Sequence, residues 1–441
     1  MSSPGSTPAA STPVPAPTPD AIPVTVPLPP VEVRVARPAD LVAAGALTAE
    51  AYHADRLLDG DEGYEVELRD AERRSREAVL LVAVTGPAVV GVLSVAPYGS
   101  SYAEVAAPGE VELRMLAVAP EARRRGIAER LVVAALRDTV ARGAGRVVLS
   151  TLDSMQVAQR LYLRLGFVPA PERDWGHEGV ALRVLTWTAP DAPGALVEAA
   201  TWVPVRTRTV GGWRVGLSGG FTRRANSVLP LGRPGDLGAA VDAAASVLVD
   251  AGLPAVFRVC SAAPEGVDEL LEQRGYAAVA ATDVLVRDLV ADRPSRMPAG
   301  PRPVPPHLRI GVADRPDDGW LDGWTAVKAG AQPGDRDLPR TIVTGSPALY
   351  LTAVDTRAHQ VVAVIRAALT DDWVGLSCLM VRPDARRQGL GRLLTERALR
   401  AAVERGARRA FLQVEVGNDG AADLYVSAGF RPAERYHYRQ R

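Results

Sequence analysis

Two short stretches of this 441-residue chain place arginine and glycine in the same order. Arg123–Ala128 reads RRRGIA and Arg386–Gly391 reads RRQGLG. Each follows an apolar run that ends in Val-x-Pro, and each precedes a stretch with helical spacing. A tyrosine lies 36 residues after the first glycine of each pattern, at Tyr162 and Tyr425. The chain therefore carries one layout twice.

A glycine-bearing turn between a strand and a helix is suited to binding a phosphate or diphosphate. The first N–H groups of the helix and the positive end of its dipole point toward the turn. Gly126 and Gly389 allow the main chain to approach a ligand closely, and Arg124 and Arg387 add positive charge beside it. A solvated arginine cluster at an ordinary helix start would account for one copy, whereas two copies in register favour phosphate binding.

Both units resemble the GNAT acetyltransferase family, whose signature R/Q-x-x-G-x-G/A is followed by a Leu-Tyr and Gly-Phe segment. The segments here are AQRLYLRLGF and ADLYVSAGF. The phrase GGFTRRANSVLPLG, at Gly219–Gly232, also resembles part of a tandem acetyltransferase-like module. The resemblance implies an α/β protein with a repeated mixed-sheet GNAT (acyl-CoA N-acyltransferase) fold. It also implies an acetyl-CoA-dependent N-acetyltransferase acting on a primary amine of a small molecule or protein.

The same resemblance implies that acetyl-CoA, as cosubstrate, lies between splayed fourth and fifth strands and rests its diphosphate on the glycine turn. The main-chain contacts to the pantetheine arm would come from Leu116, Val118, Leu379 and Val381. The remaining cofactor-binding positions would be Arg123, Arg124, Arg125, Gly126, Ile127 and Ala128 in the first copy, and Arg386, Arg387, Gln388, Gly389, Leu390, Gly391 and Asn418 in the second.

Three residues are candidates for catalysis. Tyr162 and Tyr425 match the family's tyrosine that protonates the leaving thiolate, although a tyrosine packing a helix on the sheet is the alternative. The amine must also be neutral, which for a lysine-like pKa of about 10.4 costs roughly 4 to 5 kcal/mol at pH 7. Glu112, on the predicted fourth strand, is the candidate general base; a solvated or arginine-paired carboxylate is the alternative.

The second copy differs at these positions. Gly375 and Ser377 occupy the places of Glu112 and Arg114, so its fourth strand carries no acid there. Glu415 on the following strand is a weak substitute. We expect both copies to bind acetyl-CoA, the second more surely and the first with the better base.

The pattern along the chain predicts four regions. Residues 1–30 form a disordered tail rich in proline and alanine, and 31–189 an N-terminal GNAT domain with the order β-α-β-β-β-α-β-α-β. Residues 197–290 form a degenerate GNAT-like half-domain, and 304–441 a C-terminal GNAT domain. The half-domain has Arg233-Pro-Gly-Asp in place of the phosphate loop. We therefore expect it to bind no cofactor and to shape the acceptor pocket of the last unit.

Composition limits the partners. With 51 basic and 51 acidic residues the net charge is zero, which argues against nucleic acid and anionic membranes and for a small-molecule or peptide acceptor. The two cysteines and the lack of a signal-peptide pattern favour the cytoplasm. The five histidines have no metal-ligand spacing, so no metal is expected. The oligomeric state stays open.

A rival function remains, because the half-domain lacks the loop and the last unit lacks the strand acid. Duplicated GNAT folds could bind acyl-CoA or scaffold partners with little or no catalysis. A G-x-S-x-G pattern at Gly216–Gly220 would suit a hydrolase nucleophile only between a strand and a helix. Since the next residues have strand character, a hairpin turn is favoured there.

Overall fold

The computed structural model describes residues 31–58, 62–177, 180–290, 303–326 and 336–441. The predicted tail and most of the proline-rich stretch before His307 lie outside these ranges. The elements of the first unit are β1 (Glu32–Val35), α1 (Leu41–Ala54), α2 (Glu62–Arg69), α3 (Ala71–Glu77), β2 (Val79–Thr85), β3 (Ala88–Pro97), β4 (Glu110–Val118), α4 (Ile127–Ala141), β5 (Arg146–Leu152), α5 (Gln156–Arg164), β6 (Val168–Pro169), β7 (Trp175–His177) and β8 (Val180–Thr188).

These strands form one mixed sheet in the order β1-β2-β3-β4-β5-β8-β6, with β7 paired to β8. Only β4 and β5 are parallel; the other pairs are antiparallel. The last strand, β8, lies between β5 and β6. The apolar face of α4 covers one side of the sheet, where Leu113, Leu131 and Val147 share a core.

The rest of the chain builds a second sheet. Its elements are α6 (Ala195–Ala200), β9 (Arg206–Val210), β10 (Trp213–Leu217), β11 (Val228–Leu229), α7 (Leu237–Val249), β12 (Val256–Val259), α8 (Val267–Gln273), β13 (Ala277–Asp288), β14 (Leu308–Ala313), α9 (Asp318–Thr325), α10 (Asp337–Val343), β15 (Ala348–Asp355), β16 (Gln360–Thr370), β17 (Trp373–Val381), α11 (Leu390–Glu404), β18 (Arg409–Glu415), α12 (Asp419–Ser427) and β19 (Arg431–Gln440).

The two regions predicted as 197–290 and 304–441 share this eleven-stranded sheet, because they exchange strands. Its order is β14-β15-β16-β17-β18-β13-β19-β12-β11-β10-β9. β13 pairs with β18 of the last unit along Thr282–Asp288, and β19 pairs with β12 through its final four residues. Each region thus supplies the strand that the other needs at the position held by β8 in the first sheet.

The structure confirms the predicted mixed α/β class and corrects some local predictions. A strand was expected over Arg224–Leu231, but only β11 forms there. The first part of the segment 224–231 is a tight loop. In this loop the Asn226 carboxamide oxygen accepts the N–H groups of Ser218 and Gly220, at 2.7 and 2.9 Å. As expected, the G-x-S-x-G pattern lies in this turn between strands. No helix among the described residues combines the length and the apolar character needed to cross a bilayer.

Candidate active site

The candidate site in each sheet is a gap between two parallel strands. β4 pairs with β5 only as far as Leu113 opposite Leu149, and β17 pairs with β18 only as far as Leu376 opposite Leu412. All four strands continue for several residues beyond these pairs. The main-chain groups that line each gap are therefore available to an extended ligand, which could pair with them as a strand would.

A β-bulge opens the gap at the same place in both sheets. Met115 and Cys378, each two residues past the last parallel pair, have positive φ angles of 54° and 58°. The register with the neighbouring strand, β3 or β16, shifts at these residues. A bulge bends its strand locally, so the bend turns β4 and β17 away from their parallel partners.

The two glycine loops share one backbone conformation. Arg124 and Gly126 have φ angles of 61° and 76°, and Arg387 and Gly389 have 64° and 79°. Alternation of right- and left-handed residues turns successive N–H groups toward one point, which makes an anion-binding concavity. α4 and α11 begin directly after the glycines, so their N-terminal N–H groups extend the concavity.

The arginines of each loop divide into two kinds. The Nε atoms of Arg123 and Arg386 donate to the carbonyls of Val118 and Val381, at 3.3 and 3.2 Å, and so brace the loop against the preceding strand. Arg124 and Arg387 are exposed, and neither has a hydrogen-bond or ion-pair partner in the described part of the chain. These two are the side chains best placed to face an anion.

The other predicted cofactor residues have mixed surroundings. Ile127 and Leu390 are buried in the cores, so they could offer a ligand their N–H groups only. Gly391 packs closely, since a Cβ there would lie 2.8 Å from Leu424 Cδ1. Asn418 caps α12 by accepting the N–H of Ala421 at 3.3 Å. The remaining predicted positions lie at the loops or gaps already described, namely Leu116, Val118, Arg125, Ala128, Leu379, Val381 and Gln388.

Tyr162 and Tyr425 lie on α5 and α12, the helices that follow the fifth strand of each layout. Both are 7% exposed and pack edge-on or tilted against Phe167 and Phe430, with ring centroids 5.5 and 5.9 Å apart. Burial raises the pKa of both phenols well above the usual range, and Cys378 adds to the effect at Tyr425. Both phenols therefore hold their protons more tightly than an exposed tyrosine does.

Comparison with known families decides what this arrangement is. Residues 196–439 match the family model described as "Probable histone acetyltransferase Rv0428c C-terminal", which covers more than half of the chain. Residues 47–167 match the model described as "Acetyltransferase (GNAT) family". The chain belongs to the GNAT acetyltransferase family. The expected family and fold are thereby confirmed.

Individual proteins are similar to parts of this chain. The "Uncharacterized N-acetyltransferase YobR" of Bacillus subtilis (strain 168) is 28% identical over 253 residues, which are 55% of this chain and 94% of that protein. The "[Ribosomal protein bS18]-alanine N-acetyltransferase" of Escherichia coli (strain K12) is 32% identical over 94 residues, 21% of this chain and 64% of the relative. A solved GCN5-related N-acetyltransferase from Kribbella flavida has a TM-score of 0.41 and 19% identity, and the alignment covers 53% of this chain and 88% of that one.

In the first GNAT unit, Glu112 lies inside the protein. Its side chain is fully buried, and Oε2 accepts the N–H groups of Glu104, Val105 and Ala106 at 2.8, 2.8 and 3.1 Å. Burial raises the pKa of this carboxyl, while those N–H groups and Arg114 oppose the shift. Glu112 therefore anchors the loop before β4 and, in this conformation, cannot touch an acceptor directly. Its role as general base remains a prediction that now requires a relay.

The second GNAT unit has no room for an acid at Gly375 of β17. A Cβ there would lie 2.8 Å from Phe411 Cζ and 3.1 Å from Thr201 Cγ2, so a residue of β18 and the residue after α6 occupy the space. The two sheets also differ in the strand that carries an arginine next to this position. The first sheet pairs Ser94 of β3 with Arg114 of β4, whereas the second places its buried arginine on β16, as Arg366 opposite Ser377.

A cavity of about 570 Å³ lies beside the gap of the second GNAT unit, between the two regions that share the sheet. Aromatic and charged side chains from both regions line it. Glu415, the predicted substitute acid, lies on its wall and is exposed. Other lining residues are Trp202, Phe221, Arg223, Arg224, Gln413, Tyr436 and Tyr438.

Sequence reasoning missed three residues of this region, Glu198, Arg366 and Gln413. Glu198 and Gln413 are joined by a hydrogen bond across 215 residues of sequence, and Arg366 reaches Thr201 across 165. The one available signal was a charged or amide residue inside an otherwise apolar helix or strand. Such a pattern indicates burial of a polar group but does not identify its partner.

Proposed function

We propose that this protein is an acetyl-CoA-dependent N-acetyltransferase that transfers the acetyl group to a primary amine. The observation that carries the proposal is the repetition of one geometry, a bulged strand, a strand gap and a loop with two positive φ angles, in both sheets. A ligand with an extended amide-bearing arm and a diphosphate matches these features, because the gap offers main-chain partners and the loop offers converging N–H groups.

The residues would divide the work as follows. Leu116 and Val118, or Leu379 and Val381, would pair with the pantetheine arm, and the loops with Arg124 or Arg387 would hold the diphosphate. The thioester supplies the acetyl group, which the neutral amine takes by direct attack on the carbonyl carbon. Tyr162 or Tyr425 would give a proton to the departing thiolate, since burial keeps each phenol protonated.

The 570 Å³ cavity is the proposed acceptor site of the second unit. Its exposed Glu415 suits a cationic amine, which a carboxylate attracts, while Arg223 and Arg224 lie over the rings of Tyr438 and Trp202. Small amines, amino sugars and protein amines are all candidates. The relatives named for histones and for an alanine of a ribosomal protein support including lysine side chains and peptide α-amines.

The competing proposal is a GNAT-fold module that binds acyl-CoA or scaffolds partners with little catalysis. The absence of an acid at Gly375 and the complete burial of Glu112 favour it. A thiol-release assay with a panel of amines separates the two, with calorimetric titration of acetyl-CoA run alongside. Release of CoA that depends on an amine, and that falls in Tyr162→Phe or Tyr425→Phe at unchanged affinity, supports the enzyme. Binding without release for any amine supports the module.

A further inference from the structure

Phe411 of β18 and Thr201, the residue after α6, occupy the place that an acid at position 375 of β17 would need. Gly375 contacts Phe411 and Thr201 so closely that any side chain there would displace one of them. Arg366 then fixes the end of α6, because its guanidinium donates to the Thr201 carbonyl at 2.8 Å. The position on β17 that lacks an acid is therefore the position against which the end of α6 packs.

Docking of α6 brings a different acid to the sheet. Glu198 lies one turn before Thr201, and its side chain is 1% exposed. Its Oε2 accepts hydrogen bonds from Arg258 at 2.6 Å and from the carboxamide of Gln413. Gln413 is the first residue of β18 beyond the last pair with β17. The carboxylate is therefore one hydrogen bond away from the strand gap.

The second oxygen of this carboxylate has no partner. Oε1 of Glu198 is buried without a hydrogen bond from any described residue. The side chain lines a cavity of about 230 Å³ whose other polar walls include Arg214, Arg224 and Ser227. The cavity is large enough for water molecules, and buried oxygens without protein partners are commonly bonded to water.

This smaller cavity adjoins the proposed acceptor site. Trp202 and Arg224 line both cavities. The Arg224 guanidinium lies 4.4 Å from the ring centroid of Trp202 and donates to the Gln413 carboxamide. Trp202 and Arg224 are thus common to both cavities, and Gln413, which lines the acceptor site, is hydrogen-bonded to the Glu198 carboxylate.

We propose that Glu198 is the proton acceptor for the amine at the second GNAT unit and acts through water in the 230 Å³ cavity. This inference rests on the proposed function. The ammonium gives one proton through water to Glu198, which passes it to solvent. The neutral nitrogen then forms the C–N bond as the C–S bond breaks. Tyr425 gives its proton to the departing thiolate, and its phenolate takes the second proton from nitrogen. The products are the amide, the thiol and the one proton released through Glu198.

The charged surroundings are compatible with this role. Burial raises the pKa of the Glu198 carboxyl and Arg258 opposes the shift, while Glu434 on β19 acts in the same direction as burial. Arg214 and Arg224 face the cavity from β10 and from the loop before β11, and Cys260 lies nearby on the far side of Arg258. A carboxyl whose pKa moves toward neutrality is a more effective base at physiological pH.

The test uses the full-length chain with Gly126→Glu, which blocks the first loop, and measures kcat/KM from pH 5 to 9 with an amine that supports turnover. Glu198→Gln is expected to lower kcat/KM by about 10²-fold or more, the usual range for loss of a general base. The kcat/KM of this variant should rise tenfold per pH unit from pH 5 to 9, because hydroxide would accept the proton in place of the carboxylate. Glu198→Asp should restore part of the rate and the original acid limb.

Two further variants control for structure. Asp268→Asn breaks ion pairs with His437 and Arg439, at 2.9 and 2.6 Å, in the same sheet and should leave the profile unchanged. If Glu198→Gln does not fold, Glu198→Gln with Arg258→Met removes both buried charges and should fold with the same kinetic loss. Binding of acetyl-CoA should stay within twofold in every folded variant.

Two results would overturn the inference. One is an unchanged pH profile in a folded Glu198 variant. The other is turnover that disappears with Gly126→Glu but survives Gly389→Glu, because the reaction would then run in the first unit. Failure of the proposed function has a different signature, since the unmodified chain would then release no CoA with any amine.

Discussion

Arg366 donates a hydrogen bond from its guanidinium to the main-chain carbonyl of Thr201, at 2.8 Å. The arginine is fully buried, and its other donors reach the Val343 carbonyl and Ser346 Oγ, also at 2.8 Å. One residue of β16 thus holds the end of α6 and the chain after α10 against the second sheet. The 570 Å³ cavity depends on the first of these segments, because Trp202, which follows α6, forms part of its wall.

Replacing Arg366 with Met should therefore destabilise the second sheet. Thr201, Val343 and Ser346 would each lose a hydrogen bond to a charged group, worth about 1.5 to 3 kcal/mol, while Ser346 Oγ and Tyr350 Oη would still donate to the two carbonyls. We expect the free energy of unfolding to fall by about 3 kcal/mol or more, measured by denaturant titration on the transition that carries Trp320 and Trp324. Arg405→Met, which removes an exposed ion pair with Asp314 at 3.1 Å, should change it by less than about 1 kcal/mol. Equal effects of the two variants would contradict the conclusion that Arg366 holds these two segments against the second sheet.

The two glycine loops predict two binding events. Gly126→Glu and Gly389→Glu place a carboxylate in a concavity suited to an anion and strain a residue with φ of 76° or 79°. Calorimetric titration with acetyl-CoA should give a stoichiometry of about two for the unmodified chain, about one for each variant, and none for the pair.

Matched controls are available in the same helices. Gly143 and Gly406 follow α4 and α11, have φ angles of 77° and 95°, and would have open space around an added Cβ. Gly143→Glu and Gly406→Glu carry the same strain and charge at the opposite helix ends, so they should leave the stoichiometry at two. An unchanged stoichiometry in both loop variants would show that these loops do not bind acetyl-CoA.

The local parts of the site could be predicted from the sequence because short-range patterns determine them. A strand, a glycine turn and a helix follow one another within about 30 residues, and their hydrophobic periods do not depend on distant partners. The order β-α-β-β-β-α-β-α-β predicted for residues 31–189 contains β4, α4, β5 and α5 in the order in which they occur. These elements carry the first glycine loop and Tyr162.

The strand exchange and the bulges could not be predicted this way. A strand that alternates buried and exposed residues has the same pattern whichever neighbour it pairs with, so β13 gives no sign that it pairs with β18. The bulges at Met115 and Cys378 have no glycine to mark them. The acid of the second unit was sought on its own strands, whereas Glu198 comes from a six-residue helix far upstream.

The buried tyrosines predict a dependence of stability on alkaline pH. Burial raises the pKa of Tyr162 and Tyr425, so above about pH 10 the folded chain binds more protons than the unfolded chain. The stabilisation from the neutral phenols is complete below pH 10 and is lost as pH rises further. Denaturant titrations from pH 9 to 11.5 should show a shallower loss in Tyr162→Phe and Tyr425→Phe. Tyr98→Phe, at a 56% exposed side chain, should follow the unmodified chain.

The two sheets are joined through Asp283, a residue of the exchanged strand β13. Its carboxylate is buried and pairs with Arg137 of α4 in the first sheet and, at 2.6 Å, with Arg435 of β19. Asp283→Asn leaves two half-buried arginines without their counter-charge, which we expect to cost about 1 to 3 kcal/mol. The first sheet should then unfold or separate at lower denaturant concentration.

A double-mutant cycle of Asp283→Asn with Arg137→Gln measures this link between the sheets. We expect a coupling energy of about 1 to 3 kcal/mol, in the range for contacting residues. The second inter-sheet pair, between Arg130 and Asp423, is 36% and 39% exposed, so its cycle should give under about 1 kcal/mol. If the Arg130–Asp423 pair had the larger coupling energy, the main link between α4 and the second sheet would be the first turn of α4. Blocking the first glycine loop would then be expected to disturb α12 and Tyr425. If the Asp283–Arg137 pair has the larger coupling energy, as we expect, the two glycine loops should bind acetyl-CoA independently. The Gly126→Glu variant should then keep the acetyl-CoA affinity of the second loop.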